Sequence, residues 1–155
     1  MMQAACDTCV YVFFGIPKVD ETAYRILSAT TDYREKYWGD IQTIINRNYT
    51  GKRMFARTGT QASLEFHCAK IESYYIHSGI LLVRLRAGRG EDFYFELPAG
   101  STLFVPPGLM HQRGGLKDVV IIEASTHDED SDSFLVEDGQ TKPMPKLQEY
   151  ITSNA

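Results

Sequence analysis

The chain has 155 residues, of which 43% are hydrophobic and 23% are charged, and its formal net charge is −4. This length and composition are typical of one globular domain with its own hydrophobic core. A nucleic-acid or anionic-membrane partner would require a concentrated basic surface, so we expect neither partner. The sequence also has no apolar run near the ~20 residues that a membrane helix requires.

The three cysteines bear on the compartment. Cys6 and Cys9 have C-x-x-C spacing without a second pair that would complete a zinc site, and Cys68 is alone. An odd number of cysteines without framework spacing favours a reducing compartment, so we expect a cytoplasmic protein. The role of Cys6 and Cys9 is left open.

The first 36 residues predict an extension that precedes the main domain. The apolar residues 10–16 predict a strand, and the spacing of Tyr24 and Leu27 predicts a helix within residues 21–36. Because unpaired strands and apolar sheet faces are commonly covered by a second copy, we expect a homodimer in which residues 10–16 form an exchanged or interface element.

From Trp38 onwards, glycine and proline residues separate short runs of β-branched, aromatic and aliphatic residues. Eight such runs predict strands, at residues 41–45, 53–57, 63–67, 73–77, 80–86, 92–97, 102–105 and 119–123. This number and spacing predict an all-β sandwich or barrel. The sequence has no internal repeat, so we expect a single barrel over residues 37–139. Residues 127–133 form an acidic, Ser-rich loop (the acidic loop), and residues 140–155 are expected to form a peripheral tail.

Four potential metal ligands lie in the middle of the chain. Glu65 and His67 are two residues apart on one predicted strand, so their side chains leave the same face. Glu72 follows a short turn, and His111 follows a Pro-Pro-Gly corner that would return a distant strand across the barrel. Imidazole and carboxylate groups that converge inside a barrel are typical of a metal site.

These residues lie in two glycine and proline frameworks that resemble the paired motifs of the cupin superfamily. The family forms are G-x5-H-x-H-x3,4-E-x6-G and G-x5-P-x-G-x2-H-x3-N. This chain has G-x5-E-F-H-x4-E-x6-G over residues 59–79 and G-x5-P-P-G-x2-H over residues 100–111. The resemblance implies a cupin double-stranded β-helix, or jelly-roll barrel, that binds one divalent metal ion through Glu65, His67, Glu72 and His111.

The chain departs from the motifs at two positions. Glu65 replaces the usual first histidine, and Gly115 replaces the final asparagine. Two carboxylates and two imidazoles would neutralise a divalent ion, and they favour Mn²⁺, Fe²⁺ or Zn²⁺ over copper. Glu65 could instead contact the ion through water, and the sequence leaves this alternative open.

A finer resemblance is to the cupin domain of type II mannose-6-phosphate isomerases. The segments that carry it include Y-W-G at residues 37–39, S-L-E-F-H at 63–67, V-P-P-G-L-M-H-Q at 105–112 and I-E-A-S-T at 122–126. Leu135 and Gln140 stand where that family carries basic residues. The resemblance implies isomerisation between an aldose and a ketose, with a metal ion polarising the carbonyl of a sugar or sugar phosphate.

Such a reaction would require a base and cations that bind the substrate. Glu123 is our candidate base, because a carboxylate at the end of an apolar strand should be partly desolvated and have a raised pKa. The alternative is that Glu123 pairs with an arginine on a neighbouring strand. Arg113, Lys70 and Arg53 are candidate substrate-binding residues; Arg113 shares a strand face with His111, and Lys70 is placed in the turn near the barrel mouth.

Arg84 and Arg86 alternate with aliphatic residues, which predicts a solvated basic face at the surface or an interface. The protein could bind a carbohydrate-like small molecule without catalysis, or it could be an Fe²⁺ dioxygenase. Because one fold supports many chemistries, the sequence leaves open whether the protein is an enzyme.

Overall fold

The computed structural model describes residues 32–154, which form nine strands, one short 3₁₀ helix and one α-helix. The strands are β1 (Asp32–Lys36), β2 (Gly39–Asn46), β3 (Tyr49–Ala56), β4 (Leu64–Phe66), β5 (Glu72–Ala87), β6 (Asp92–Pro98), β7 (Thr102–Val105), β8 (Leu109–Thr126) and β9 (Phe134–Glu137). The 3₁₀ helix is Asp130–Asp132, and the α-helix, α1, is Pro145–Asn154. Over this range of residues, no helix has the length and apolar character needed to cross a membrane.

The strands form one curled antiparallel sheet in the order β1-β2-β3-β8-β4-β9, while β5 pairs with β6, β7 and β8. The central pair is β5 and β8, whose register runs from Glu72 opposite Ser125 to Ala87 opposite Leu109. Register breaks between Ile76 and Leu81 bend this long pair. As a result, β8 pairs with β3 near its end and with β4 near its start, which closes the barrel.

Two glycines are required where strands approach closely. Gly79 has φ of +81°, and a Cβ on it would lie 1.9 Å from the carbonyl oxygen of Asp118. A Cβ on Gly115 would lie 2.4 Å from the carbonyl oxygen of Arg57. Steric exclusion therefore explains why Gly115, and not the asparagine of the motif, occupies this position.

The barrel interior holds the larger of two apolar clusters. Its buried residues are Trp38, Met54, Ala56, Ala62, Tyr74, Ile76, Leu81, Val83, Val105, Val119 and Ile121. On the outside, Met144 and Leu147 are fully buried against Leu82 and Leu116, so α1 packs on β5 and β8. Gln61 anchors the approach to this helix, because its Nε2 donates to the carbonyls of Gly139 and Lys142 and its Oε1 accepts the N–H of Met144.

The all-β barrel predicted from the sequence is confirmed, and each of the eight predicted strand segments overlaps an observed strand. The helix predicted over residues 21–36 is wrong at residues 32–36, which form β1. There, backbone pairing with β2, from Asp32 opposite Thr43 to Lys36 opposite Gly39, overrides the helical spacing. Residues 21–31, the strand predicted at 10–16, Cys6 and Cys9 lie outside the described residues.

Candidate metal centre

The candidate centre lies in a cavity of about 130 Å³ inside the barrel. β4 and the turn after it carry Glu65 and His67, Glu72 begins β5, and His111 lies near the start of β8. Glu65 is directly opposite His111 in the β4–β8 pair. Strand pairing therefore joins two motifs that are far apart in sequence.

Both histidine rings have a defined tautomer. His67 Nδ1 donates to the carbonyl oxygen of Asp132 at 2.8 Å, and His111 Nδ1 donates to that of Leu109 at 3.1 Å. A carbonyl oxygen only accepts hydrogen bonds, so the proton of each neutral ring is on Nδ1. Each Nε2 is therefore left with a lone pair, which is the form that binds a metal ion.

Glu72 lies between the two rings. Its Oε1 is 3.6 Å from His67 Nε2, and its Oε2 is 3.1 Å from His111 Nε2. The second pair does not form a hydrogen bond, so within the described residues the buried His111 Nε2 has no hydrogen-bond partner. Burial would raise the pKa of Glu72, but neighbouring positive charge, which the Lys70 ammonium and the Arg113 guanidinium supply when the His111 ring is neutral, outweighs burial and lowers it. Glu72 is thus a carboxylate at neutral pH.

Glu65 shares the cavity with a buried guanidinium. Its Oε1 pairs with Arg113 Nη2, and its Oε2 accepts a hydrogen bond from Ser133 Oγ at 3.3 Å. Burial would raise the pKa of Glu65, but the Arg113 charge outweighs it and holds the pKa below its ordinary value. Glu65 therefore also presents an ionised oxygen to the cavity.

Lys70 and Glu123 form a buried ion pair beside Glu72. Lys70 is buried, and its Nζ lies 2.6 Å from Glu72 Oε1, 2.8 Å from Glu123 Oε1 and 2.7 Å from Asp128 Oδ1. Glu123 Oε1 also accepts a hydrogen bond from Ser125 Oγ at 2.9 Å. Within residues 32–154 these contacts reach Oε1 of Glu123, and none of them reaches Oε2.

Tyr74 connects the two halves of the centre. Its hydroxyl donates to Glu72 Oε2 at 3.0 Å and accepts a hydrogen bond from Arg113 Nη1 at 2.8 Å. Burial raises the pKa of Tyr74 well above its ordinary value, so the hydroxyl keeps its proton. The chain of bonds from Glu65 through Arg113 and Tyr74 to Glu72 orients the carboxylates of Glu65 and Glu72.

These residues fit a divalent metal ion. Glu65, His67 and His111 each offer one ligand atom, and the three atoms lie within 4.8 Å of one another. The buried His111 Nε2 receives no hydrogen bond from residues 32–154. A metal ion would satisfy its lone pair. Two imidazoles with carboxylates are a donor set for Mn²⁺, Fe²⁺ or Zn²⁺.

The structure brings together most of the predicted site residues. Glu65, His67, Lys70, Glu72, Arg113 and Glu123 line the cavity, and the fully buried His111 has its Nε2 3.1 Å from Glu72. Arg53 does not line it, because its neighbours Lys52 and Met54 take the inward positions of β3 and Arg53 pairs with Asp40 at 2.8 Å. Lys70 lies in the predicted turn between His67 and Glu72, and its side chain is buried, with 3% exposed.

The prediction that Arg84 is a surface residue is also wrong. Its side chain is 4% exposed and lies 2.7 Å from both Asp92 and Glu137. Those carboxylates cover the face of β5 that the alternating arginine and aliphatic residues predicted to be solvated. Arg86 is half-buried in the same cluster, where it also pairs with Asp92 and Glu137.

Sequence reasoning did not identify Tyr74, Lys52, Asp128 or Asp132 as part of the centre. Tyr74 could have been found, because it is two residues from Glu72 on the same strand face. Lys52 is next to Arg53 on β3, so its side chain leaves the opposite face of the strand and points into the cavity. No local pattern marks Asp128 and Asp132, which reach the centre through a loop distant in sequence.

Comparisons with known proteins support the fold. Capsular polysaccharide assembling protein CapF from Staphylococcus aureus superimposes with a TM-score of 0.61 at 18% identity, over 68% of this chain and 34% of that one. Oxalate decarboxylase from Bacillus subtilis, at pH 4.6, gives a TM-score of 0.61 at 20% identity, over 87% of this chain and 38% of that one. A structure of that enzyme from work on its Mn(II) centres gives a TM-score of 0.62 at 19% identity, over 86% of this chain and 38% of that one.

The chain thus spans little more than a third of the length of these structures. No protein-family model and no curated protein sequence matches it. The resemblance to type II mannose-6-phosphate isomerases stays a prediction, because the structural likeness reaches only the fold. The chain has the cupin fold, an all-β jelly-roll barrel, with a cluster of residues inside it that can hold a metal ion.

Proposed function

We propose that the chain is a metal-dependent cupin enzyme that isomerises a small sugar or sugar phosphate. The observation that carries the proposal is the pair of histidine Nε2 lone pairs, from His67 and His111, that face the buried carboxylate of Glu72. A divalent ion held by His67, His111 and Glu65, with Glu72 beside them, would polarise a substrate carbonyl. Mn, Fe and Zn are the candidate ions.

The charge of the cavity favours an oxygen-rich, anionic substrate. Six carboxylates and five lysine or arginine side chains line it, so the lining has a net charge of −1 with neutral histidines. A divalent ion would change this net charge to +1, which attracts an anion. Most of the cations are already paired with carboxylates, but within the described residues Lys36 forms no ion pair and is therefore available to a phosphate or carboxylate.

Glu123 is the proposed base. Isomerisation moves a proton between adjacent carbons, which requires a group that accepts and returns it. Ser125 and Lys70 hold Glu123 Oε1, which fixes the side chain and leaves Oε2 for the proton. Lys70 also pairs with Glu72, so one ammonium sets the relative positions of the base and the candidate metal centre.

The size of the cavity limits how much of the substrate it can enclose. Its volume of about 130 Å³ is well below the roughly 300–1,000 Å³ of typical small-molecule pockets. It can therefore enclose the carbonyl and the adjacent carbon of a sugar but not a whole hexose phosphate. The phosphate of a larger substrate would lie towards Arg34 and Lys36, which also line the cavity.

The same small volume favours a second candidate function, the breakdown of a small carboxylate such as oxalate. Oxalate decarboxylase is among the proteins with the same fold, and a two-carbon dianion would fit the cavity whole. In this alternative Arg113, with its buried guanidinium, would bind a substrate carboxylate, as arginine does in many anion sites.

The first test is elemental analysis of protein purified without chelator, followed by activity assays. Stoichiometric Mn or Zn with turnover of mannose 6-phosphate or a smaller aldose phosphate would support the isomerase. Turnover of oxalate would support the second candidate, and iron with O₂ uptake would indicate a dioxygenase. Metal with ligand binding but no turnover would indicate a binding protein, and absence of stoichiometric metal would reject the proposal.

A further inference from the structure

The acidic loop contacts the turn that follows the first pair of candidate ligands. The carboxylate of Asp132 accepts hydrogen bonds from the backbone N–H groups of Cys68 at 2.8 Å, Ala69 at 3.1 Å and Lys70 at 2.9 Å. Three successive N–H groups that converge on one carboxylate fix the conformation of a turn. This turn joins His67 to Glu72, so its conformation sets the distance between them.

Asp132 also contacts His67 directly through its backbone. Its carbonyl oxygen accepts the Nδ1–H of His67 at 2.8 Å, across 65 positions of sequence. The side chain and the backbone of one residue thus hold both the ring of a candidate ligand and the turn behind that ring. Hydrogen bonds of this kind orient a ligating histidine and keep the proton away from the ligating nitrogen.

The neighbours of Asp132 contact the same centre. Ser133 donates to Glu65 Oε2, and Asp128 lies 2.7 Å from the ammonium groups of both Lys70 and Lys52. The sequence predicted an acidic, Ser-rich loop without a role at the metal centre. Its contacts instead reach five of the residues that line the cavity, namely Arg34, Lys52, Glu65, His67 and Lys70.

We propose that Asp132 is a positioning residue for the metal centre, which holds His67 and the turn after it in the geometry that binds a metal ion. The inference rests on the proposed metal binding. Without the carboxylate, the three N–H groups of the turn lose their shared acceptor, and the carbonyl that holds the His67 ring loses its anchor. Loss of such an outer contact typically lowers metal affinity by about 10- to 100-fold.

The test is Co²⁺ binding by three variants of the whole chain, followed through the visible absorption of the bound ion. Asp132→Ala should lower the affinity by about 10- to 100-fold, and Asp132→Asn, which keeps one acceptor oxygen, by less. Both should change the position or intensity of the Co²⁺ bands, because these report the ligand geometry. Asp118→Ala is the matched control, since Asp118 also caps a turn, through Thr58, but does not line the cavity.

The outcomes separate the inference from the proposal on which it rests. If the wild-type chain binds no Co²⁺, the proposed metal-dependent function fails. If the wild type binds Co²⁺ and the Asp132 variants with native far-UV circular dichroism bind it with unchanged affinity and spectrum, the positioning role is wrong. The near-isosteric Asn variant decides the question if the Ala variant does not fold. An equal loss in Asp118→Ala would show a general effect on stability and would also overturn the inference.

Discussion

The imidazole groups of His67 and His111 are the residues on which metal binding depends most directly. Both rings donate Nδ1–H to backbone carbonyls, so the Nε2 atoms can bind an ion without any change of tautomer. We expect His67→Ala and His111→Ala each to reduce the metal content of the purified protein severely. The barrel should still fold, because its interior cluster is apolar.

The measurement is elemental analysis together with far-UV circular dichroism. His77→Ala is the control, since His77 is exposed on β5. Glu65→Gln should weaken metal binding without abolishing it, because one carboxylate oxygen is replaced while both imidazoles remain. Metal content that is unchanged in both histidine variants would show that the ligand assignment is wrong.

The hydroxyl of Tyr74 provides a second prediction. Tyr74→Phe removes the acceptor of Arg113 Nη1 and the donor to Glu72, and both groups are buried. A buried polar group left without its partner costs about 1–3 kcal/mol, so urea unfolding should show a loss of this size. Tyr75→Phe, at the exposed neighbouring position, should have little effect. Equal stability of the two variants would contradict the role assigned to Tyr74.

At the scale of residues, spacing predicted the part of the centre that lies on regular strands. Glu65 and His67, and likewise His111 and Arg113, are two residues apart and share a face, which alternation along a strand predicts. The sequence does not show which face of β3 points inward, and Arg53 lies on the face that does not line the cavity. Asp132 could not be predicted, because a loop's path across the barrel depends on tertiary contacts that leave no periodic signal.

At the scale of elements, the strands were predicted where apolar residues alternate between turn residues. β9 was missed because Phe134, Leu135 and Val136 are exposed and follow an acidic segment. α1 was not predicted, because residues 140–155, which contain Pro143 and Pro145, were expected to form a peripheral tail. Pro145 is in fact the first residue of the helix, where proline's fixed φ and missing N–H are tolerated.

Strands β5, β6 and β9 are tied together by a cluster of charges that should make stability depend on pH. The hydrogen bond from Arg86, with that from Arg84, lowers the pKa of Asp92 to about 2. Burial would raise the pKa of Glu137, but Arg84 and Lys142 outweigh it and lower the pKa to about 2. Unfolded chains have values near 3.8 and 4.5, so folding favours the ionised carboxylates.

Because the folded pKa values are lower, the stabilisation from this cluster is complete above about pH 4.5 and is lost as the pH falls towards 2. Arg84→Met should therefore destabilise the protein most near pH 6, and the difference from wild type should shrink towards pH 2. Urea unfolding at several pH values measures this difference. Arg89→Met, at an exposed position of the β5–β6 turn, is the control. A difference that does not depend on pH would contradict the assigned ion pairs.

At the scale of the whole molecule, one barrel supplies every candidate ligand. Glu65, His67, Glu72 and His111 come from β4, β5, β8 and the turn after β4, and the acidic loop of the same chain surrounds them. The centre described above therefore needs no residue from a second copy. Assembly and metal binding should be separable properties of this protein.

We propose that the homodimer expected from the sequence uses the edge at β6. In the described part of the chain β6 pairs with β5 alone, and Phe93 and Phe95 on it are 57% and 49% exposed. An unpaired edge strand with exposed aromatic rings favours association with another chain.

Phe93→Asp should therefore change the molecular mass measured by sedimentation from that of a dimer to that of a monomer, because it places a charge in the apolar contact. The metal content should be unchanged, since the ligands lie on other strands. Tyr49→Asp, at an equally exposed aromatic position on β3, is the matched control and should remain dimeric. A wild-type monomer, or a Phe93→Asp variant that still sediments as a dimer, would exclude β6 as the interface. Loss of metal on dissociation would instead show that the second copy supports the centre.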